Sequence, residues 1–129
     1  MWVRHLLVIG LLLMPRPSAA EHFKWWQSAE VQNALRLTPK QVAALDGIFS
    51  ASLPERRVLW QKFDMCDFDL QQLLMEPNPD ERVAVELVDR LERARARRNV
   101  ARTMLLLRMR RILTPAQRTA LEKIAARHH

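Results

Sequence analysis

One pattern, Leu-Thr-Pro-x-Gln, occurs twice in this chain, at residues 37–41 and again at residues 113–117. Each copy predicts the first turn of a helix. The threonine hydroxyl accepts a hydrogen bond from a first-turn N–H, proline fits the first helical position, and glutamine at the third position reaches back to the cap. The two copies therefore fix two helix starts. The residues that carry the pattern are Leu37, Thr38, Pro39, Gln41, Leu113, Thr114, Pro115 and Gln117.

The rest of the chain also favours helices over sheet. It has two glycines and no tyrosine, and no stretch alternates apolar and polar residues for long enough to form a strand. Pro54 either kinks the second helix, which we favour, or opens a new helix with Ser52 and Glu55 as a capping box. The third helix is predicted to start after Asn78, which we expect to be its N-terminal cap. The predicted class is all-α, with four helices at about residues 22–36, 39–76, 79–112 and 115–127.

Two long neighbouring helices predict an elongated molecule. At about 1.5 Å per residue, each of the two central helices extends over roughly 50 Å. A compact domain of this size has a radius of gyration of only about 13 Å. Because two helices side by side cover only one flank of each other, apolar surface is left in water. We expect an elongated helical hairpin that buries part of this surface in a symmetric homodimer.

The first 20 residues have the pattern of an export signal. Arg4 lies in a short basic start, an apolar stretch follows at residues 6–14, and Ser18 and Ala20 are small residues before Glu21. That stretch is shorter than the roughly twenty apolar residues that span a bilayer. We predict a signal peptide at residues 1–20 and a single domain at residues 21–129 that acts outside the cytoplasm. The alternative is an uncleaved signal that tethers the protein to the inner membrane.

The chain is basic, with 21 Lys and Arg residues against 14 Asp and Glu. Such an excess often indicates nucleic-acid binding. Export argues against that partner, because most nucleic acid stays in the cytoplasm. The expected partners are instead an anionic membrane surface, lipopolysaccharide or acidic polypeptide segments.

The twin pattern, the signal before it and the Pro-Asn-Pro turn at residues 77–79 resemble the Spy/CpxP family of periplasmic proteins from Gram-negative bacteria. ZraP and CnrX are metal-associated relatives of that family. The resemblance covers the whole of residues 21–129. It implies a periplasmic location, a four-helix hairpin-like protomer, an antiparallel cradle-shaped homodimer and no enzymatic activity.

The third predicted helix contains more arginines than one helical face can hold. Some are expected to form ordinary surface ion pairs with Asp89 and Glu92. Others are predicted to line a basic, partly apolar concave surface that attracts unfolded acidic chains and holds their apolar segments loosely. The candidate client-binding residues are Arg90, Arg93, Arg97, Arg108, Met104 and Leu105.

Adjacent tryptophans begin the first predicted helix. Trp25 and Trp26 point in different directions, and we expect one of them to seal an end of the hairpin, since tryptophan is mostly buried. The alternative places an indole on the client-binding surface or at a membrane interface.

Metal binding is the main competing hypothesis, because relatives of the family bind transition metals. The candidate ligands are His22, Cys66 and Asp69, and no His-x-x-x-His pair is present. The only cysteine, Cys66, is expected either to pack in the core, which we favour, or to form a disulfide between two chains. We therefore expect no cofactor, with a divalent transition metal as the alternative.

Catalysis has little support, because every histidine after the signal is terminal and no nucleophile, base and acid set exists in mid-chain. The predicted function is that of a periplasmic, ATP-independent chaperone or envelope-stress accessory protein that binds partly unfolded polypeptides. The alternative is a heavy-metal sensor or a modulator of a membrane sensor protein. Neither hypothesis includes nucleic acid as a partner.

Overall fold

The computed structural model describes residues 24–127, and within them all regular structure is helical. A 3₁₀ turn at Trp25–Gln27 precedes four α-helices. They are α1 (Ala29–Leu35), α2 (Pro39–Leu74), α3 (Glu81–Arg110) and α4 (Pro115–Arg127). The predicted signal peptide, His22, His128 and His129 lie outside the described residues.

Helices α2 and α3 form the long hairpin, and α1 packs against α4. With 36 and 30 residues, the two long helices extend over about 54 Å and about 45 Å. The all-α class and the four-helix hairpin are thus confirmed for residues 24–127.

Two local predictions need correction, and one alternative is excluded. The first predicted helix is divided, because extended backbone at Ser28 separates the 3₁₀ turn from α1. Helix α3 begins later than expected, because the carboxylate of Asp80 accepts the hydrogen bond of Arg82 N–H at 2.8 Å, so Asn78 is not the cap. Pro54 lies inside α2, so the alternative of a new helix there is wrong. The Ser52 hydroxyl donates instead to the Phe49 carbonyl.

The hydrophobic core lies where the N-terminal part of α2 meets the C-terminal part of α3, and we call this region the closed end. One cluster contains Trp26, Leu45, Phe49, Leu105 and Met109. A second cluster joins α1 to the turn before α4. Its buried members are Val31, Leu35 and Leu113. Trp26 is fully buried, which confirms that a tryptophan seals this end of the hairpin.

The two copies of the twin pattern meet at the closed end. Both capping boxes form: Thr38 Oγ1 accepts from Gln41 N–H at 3.1 Å, and Thr114 Oγ1 accepts from Gln117 N–H at 3.2 Å. In return, each glutamine Oε1 accepts the backbone N–H of its own threonine. The cap chemistry predicted for both helix starts is therefore confirmed.

The same two glutamines also bind each other. Gln41 Nε2 donates to Gln117 Oε1 at 2.8 Å, and Gln117 Nε2 donates to Gln41 Oε1 at 3.1 Å. Their remaining N–H groups donate to the carbonyls of Ile112 and Leu35. Every donor and acceptor of both amides is thus used, so this pair connects the starts of α2 and α4 to the ends of α3 and α1.

Replacing Gln117 with alanine should lower the free energy of unfolding by about 1–3 kcal/mol, because part-buried groups on Gln41 and Leu35 lose their partners. Gln61→Ala, at an exposed position of α2, is the matched control and should change it by less than about 0.5 kcal/mol. Urea unfolding followed by circular dichroism measures both. Equal losses of unfolding free energy in the two variants would show that the hydrogen bonds between Gln41 and Gln117 do not stabilise the fold.

Asp46 attaches the 3₁₀ turn to α2. Its carboxylate accepts hydrogen bonds from Trp26 Nε1 at 2.5 Å and Gln27 Nε2 at 3.0 Å. These two bonds, with the charge of Lys24, lower the pKa of Asp46 below its ordinary value, against the opposing effect of burial. The ionised form is therefore the one that stabilises the fold.

Because the pKa of Asp46 is lower in the folded protein, its charge stabilises the protein above the unfolded pKa of about 3.9, and that stability is lost as pH falls through the folded pKa. Asp46→Asn keeps an oxygen acceptor but removes the charge. We expect the variant to be less stable than the wild type at pH 7 and the difference to shrink as the pH falls below about 3.9. Urea unfolding across this pH range measures it, and a difference that does not change with pH would contradict the role of the charge.

Away from the closed end, the hairpin has little core. Leu70, Leu73 and Leu91 are its buried residues in the described chain. Many other apolar side chains remain in solvent, including Met75, which is 78% exposed. Leu74, at the end of α2, is among these exposed residues. The far half of the hairpin therefore presents apolar surface that the protomer does not cover.

Candidate functional site

A groove runs along one side of the seam between α2 and α3. Its part nearer the hairpin turn, which we call the tip groove, has a volume of about 320 Å³. On α2 its lining recurs every three or four residues, which places the side chains on one helical face. The lining residues are Leu59, Lys62, Met65, Cys66 and Asp69 from α2, and Leu87, Arg90, Arg93, Ala94 and Arg97 from α3.

The groove continues toward the closed end as the middle groove, which shares Leu59 and Arg97 with the tip groove. Small and apolar side chains make up most of its lining, and three charged side chains complete it. The lining residues are Glu55, Leu59, Ala96, Arg97, Val100, Ala101, Met104 and Arg108.

The structure brings five of the six candidate client-binding residues to this groove. Arg90, Arg93 and Arg97 line the tip groove, and Arg97, Met104 and Arg108 line the middle groove. The sixth is corrected. Leu105 is only 1% exposed, because it packs in the core cluster with Trp26, Leu45, Phe49 and Met109.

Two of the expected surface ion pairs form on α3. Arg93 binds Asp89 at 2.8 Å and Arg95 binds Glu92 at 3.2 Å, and all four side chains are well exposed. Such pairs contribute little stability. Within residues 24–127, Arg90, Arg97 and Arg108 form no ion pair. The groove therefore keeps a positive charge, and only Asp69 and Glu55 oppose it from its lining.

The sequence-based prediction did not include the α2 side of the groove. Lys62 adds a fifth cation to Arg90, Arg93, Arg97 and Arg108, and Leu59 and Met65 add apolar surface. The signal was present in the spacing of residues 59, 62, 66 and 69, which lie three and four apart on α2. These residues could not be assigned to a groove until the register of α3 against α2 was known.

Cys66 and Asp69 lie together on the tip groove. Cys66 is half-buried, so the expected core packing is met only in part. His22 falls outside the described residues. Between residues 24 and 127, no three His, Cys, Asp or Glu side chains are grouped closely enough to hold a metal ion.

The other side of the seam holds a set of stacked cations and rings, which we call the stacked array. The Arg98 guanidinium carbon lies 4.1 Å from the ring centroids of both Trp60 and Phe63. Arg95 lies 5.2 Å from the Phe63 ring. Sequence reasoning missed this array, although the spacings of residues 60 and 63 and of residues 95 and 98 place each pair on one helical face.

None of the helices in the described part of the chain is both long and apolar enough to cross a membrane.

Searches against curated proteins and against solved structures gave no match. A family model described as LTXXQ motif family protein matches residues 24–125, which is most of the chain. Both copies of the twin pattern lie inside this match, and Spy/CpxP-like proteins belong to the same family. The resemblance drawn from the sequence is thereby confirmed, and the chain belongs to the LTXXQ motif family.

Proposed function

We propose that this protein is a periplasmic, ATP-independent chaperone or envelope-stress accessory protein that binds partly unfolded polypeptides in the groove between α2 and α3. The observation that carries the proposal is the lining of the groove, where Arg90, Arg97 and Lys62 stand beside Leu59, Met65 and Leu87 in an open channel. Family membership supports the proposal, and the export-signal pattern supports the location.

The chemistry of the groove suits loose binding of many sequences. Its cations attract acidic segments from a distance and are screened by salt. Its aliphatic and thioether side chains adapt to different apolar segments because they are flexible and polarisable. Neither contribution requires a fixed ligand geometry. The proposed role is therefore binding without catalysis, as the family resemblance implies.

We further propose that the protein works as an antiparallel homodimer. The protomer leaves large apolar side chains exposed along the hairpin, among them Val58, Phe68, Leu74 and Met75. Exposed large apolar side chains are unfavourable in water, and a symmetric dimer is the commonest way to bury them. Analytical ultracentrifugation of residues 21–129 tests the dimer, and a monomer at all accessible concentrations would contradict it.

The chaperone hypothesis predicts suppression of client aggregation. A reduced, unfolded acidic client should aggregate less at an equimolar ratio of the purified residues 21–129, without added nucleotide. Raising the salt concentration should weaken the suppression, because the attraction is partly between charges. No suppression at low salt would contradict the proposed function.

A further inference from the structure

The stacked array has no part in the proposed client groove, and its geometry is preformed. Arg98 sits 4.1 Å from two ring centroids at once, with Trp60 and Phe63 one helical turn apart on α2. A guanidinium this close to an aromatic face is attracted by the ring quadrupole. The half-buried Arg98 is therefore held in place against the two rings.

The charge of the array and of its neighbour Arg102 is neutralised only in part within the protomer. Arg95 pairs with Glu92, whereas Arg98 and Arg102 form no ion pair with a carboxylate among residues 24–127. Nearby, burial lowers the pKa of Arg56, and the positive charge of Arg102 lowers it further. Like charges are thus crowded on this side of the hairpin. An anionic surface is the electrostatic complement of such a cluster.

Trp60 indicates what kind of anionic surface fits. Its indole is 47% exposed, although it is a large apolar ring beside a cation. Tryptophan with one apolar side and one wet side is typical of membrane–water interfaces, where its ring lies at the level of the headgroups. Basic side chains beside it bind the phosphates of anionic lipids. A second copy of the chain fits less well, because a symmetric contact through this patch would bring its arginines together.

We propose that the side of the hairpin formed by Trp60, Phe63, Arg95 and Arg98 docks on an anionic lipid surface. The two guanidiniums bind lipid phosphates, and the Trp60 ring enters the interface between headgroups and acyl chains. The protein then lies along the membrane while the groove on the other side of the seam stays open. Docking at this face does not depend on whether the groove binds clients.

Co-sedimentation with vesicles tests the proposal. The probe is residues 21–129 with vesicles of phosphatidylcholine that contain or lack phosphatidylglycerol. Binding is expected only with phosphatidylglycerol. Arg95→Gln with Arg98→Gln should bind roughly tenfold to thirtyfold more weakly. The matched control, Arg57→Gln with Arg82→Gln, removes the same charge away from the array and should stay within about threefold of the wild type.

Three results would overturn the proposal. Equal losses in both double variants would indicate attraction by net charge alone. Equal binding to vesicles with and without phosphatidylglycerol would show that the anionic lipid is not needed. A changed oligomeric state of the Arg95 and Arg98 variant without lipid would show that a second copy covers the array.

Two further measurements distinguish loss of lipid binding from a folding defect and from loss of client binding. Arg95→Lys with Arg98→Lys keeps the charges and should retain binding within about fivefold; a loss as large as that of the glutamine variant would contradict phosphate binding by charge. The glutamine variant should still suppress client aggregation as the wild type does. A loss of suppression in that variant would place clients on the array and overturn the proposal.

Discussion

Replacing Trp26 with alanine should lower the free energy of unfolding by about 3–5 kcal/mol. Trp26 is fully buried, its ring lies 5.2 Å from Phe49 and 5.6 Å from Trp25 between centroids, and its Nε1 donates to Asp46. The substitution leaves a cavity in the main core cluster and removes a hydrogen-bond donor from a carboxylate. Since small domains have total stabilities of about 5–15 kcal/mol, this loss is a large fraction.

Trp60→Ala is the matched control, because it makes the same chemical change at a half-exposed site. It gives up a cation–π contact and some packing, and we expect a loss of about 1 kcal/mol. Urea unfolding followed by far-ultraviolet circular dichroism, at one fixed protein concentration, compares the two variants. Similar losses at both sites would contradict the assignment of the core to the closed end.

The helix starts were predictable because their chemistry is local. A cap, a proline and a glutamine within four residues fix the first turn whatever lies elsewhere, and both predicted boxes formed. The third start was misplaced by two residues. Asn78 and Asp80 are both good caps by type, and only the three-dimensional path of the turn decides that the Asp80 carboxylate reaches the N–H of Arg82.

The contacts between distant segments were not predictable in the same way. Gln41 and Gln117 are separated by 76 positions, and each satisfies its own cap without reference to the other. Their pairing depends on the α1–α4 contact, for which the sequence contains no local signal. The sequence showed that the pattern is repeated. It did not show that the two copies lie in contact in the folded protein.

The burial of Leu105 could not be predicted from the sequence either. In the sequence, Leu105 is an apolar residue that lies among the arginines of the candidate surface, so either a core position or a position on that surface was open. The tertiary packing decides between them, because Leu105 lies in the core cluster with Trp26, Phe49 and Met109. The arginine positions were easier to predict, since the three- and four-residue spacing of residues 90, 93 and 97 fixes them on one side of the helix.

Reversing two charges of the groove should weaken client binding most strongly. Arg93 and Arg97 are one turn apart on α3 and both line the tip groove. Arg93→Glu with Arg97→Glu changes the local charge by four units, so acidic segments are repelled where they were attracted. We expect the protein concentration needed to suppress aggregation of an acidic client to rise roughly tenfold or more at low salt.

The fold should survive this change, because both side chains are exposed and Arg93 loses only a surface pair with Asp89, which contributes less than about 1 kcal/mol. Arg57→Glu with Arg82→Glu makes the same change in net charge outside the groove and should keep most of the suppression. If both variants lost suppression equally, overall charge and not the groove would attract the client. If neither variant lost suppression, the apolar lining alone would hold the client. Suppression by the wild type should then not depend on salt.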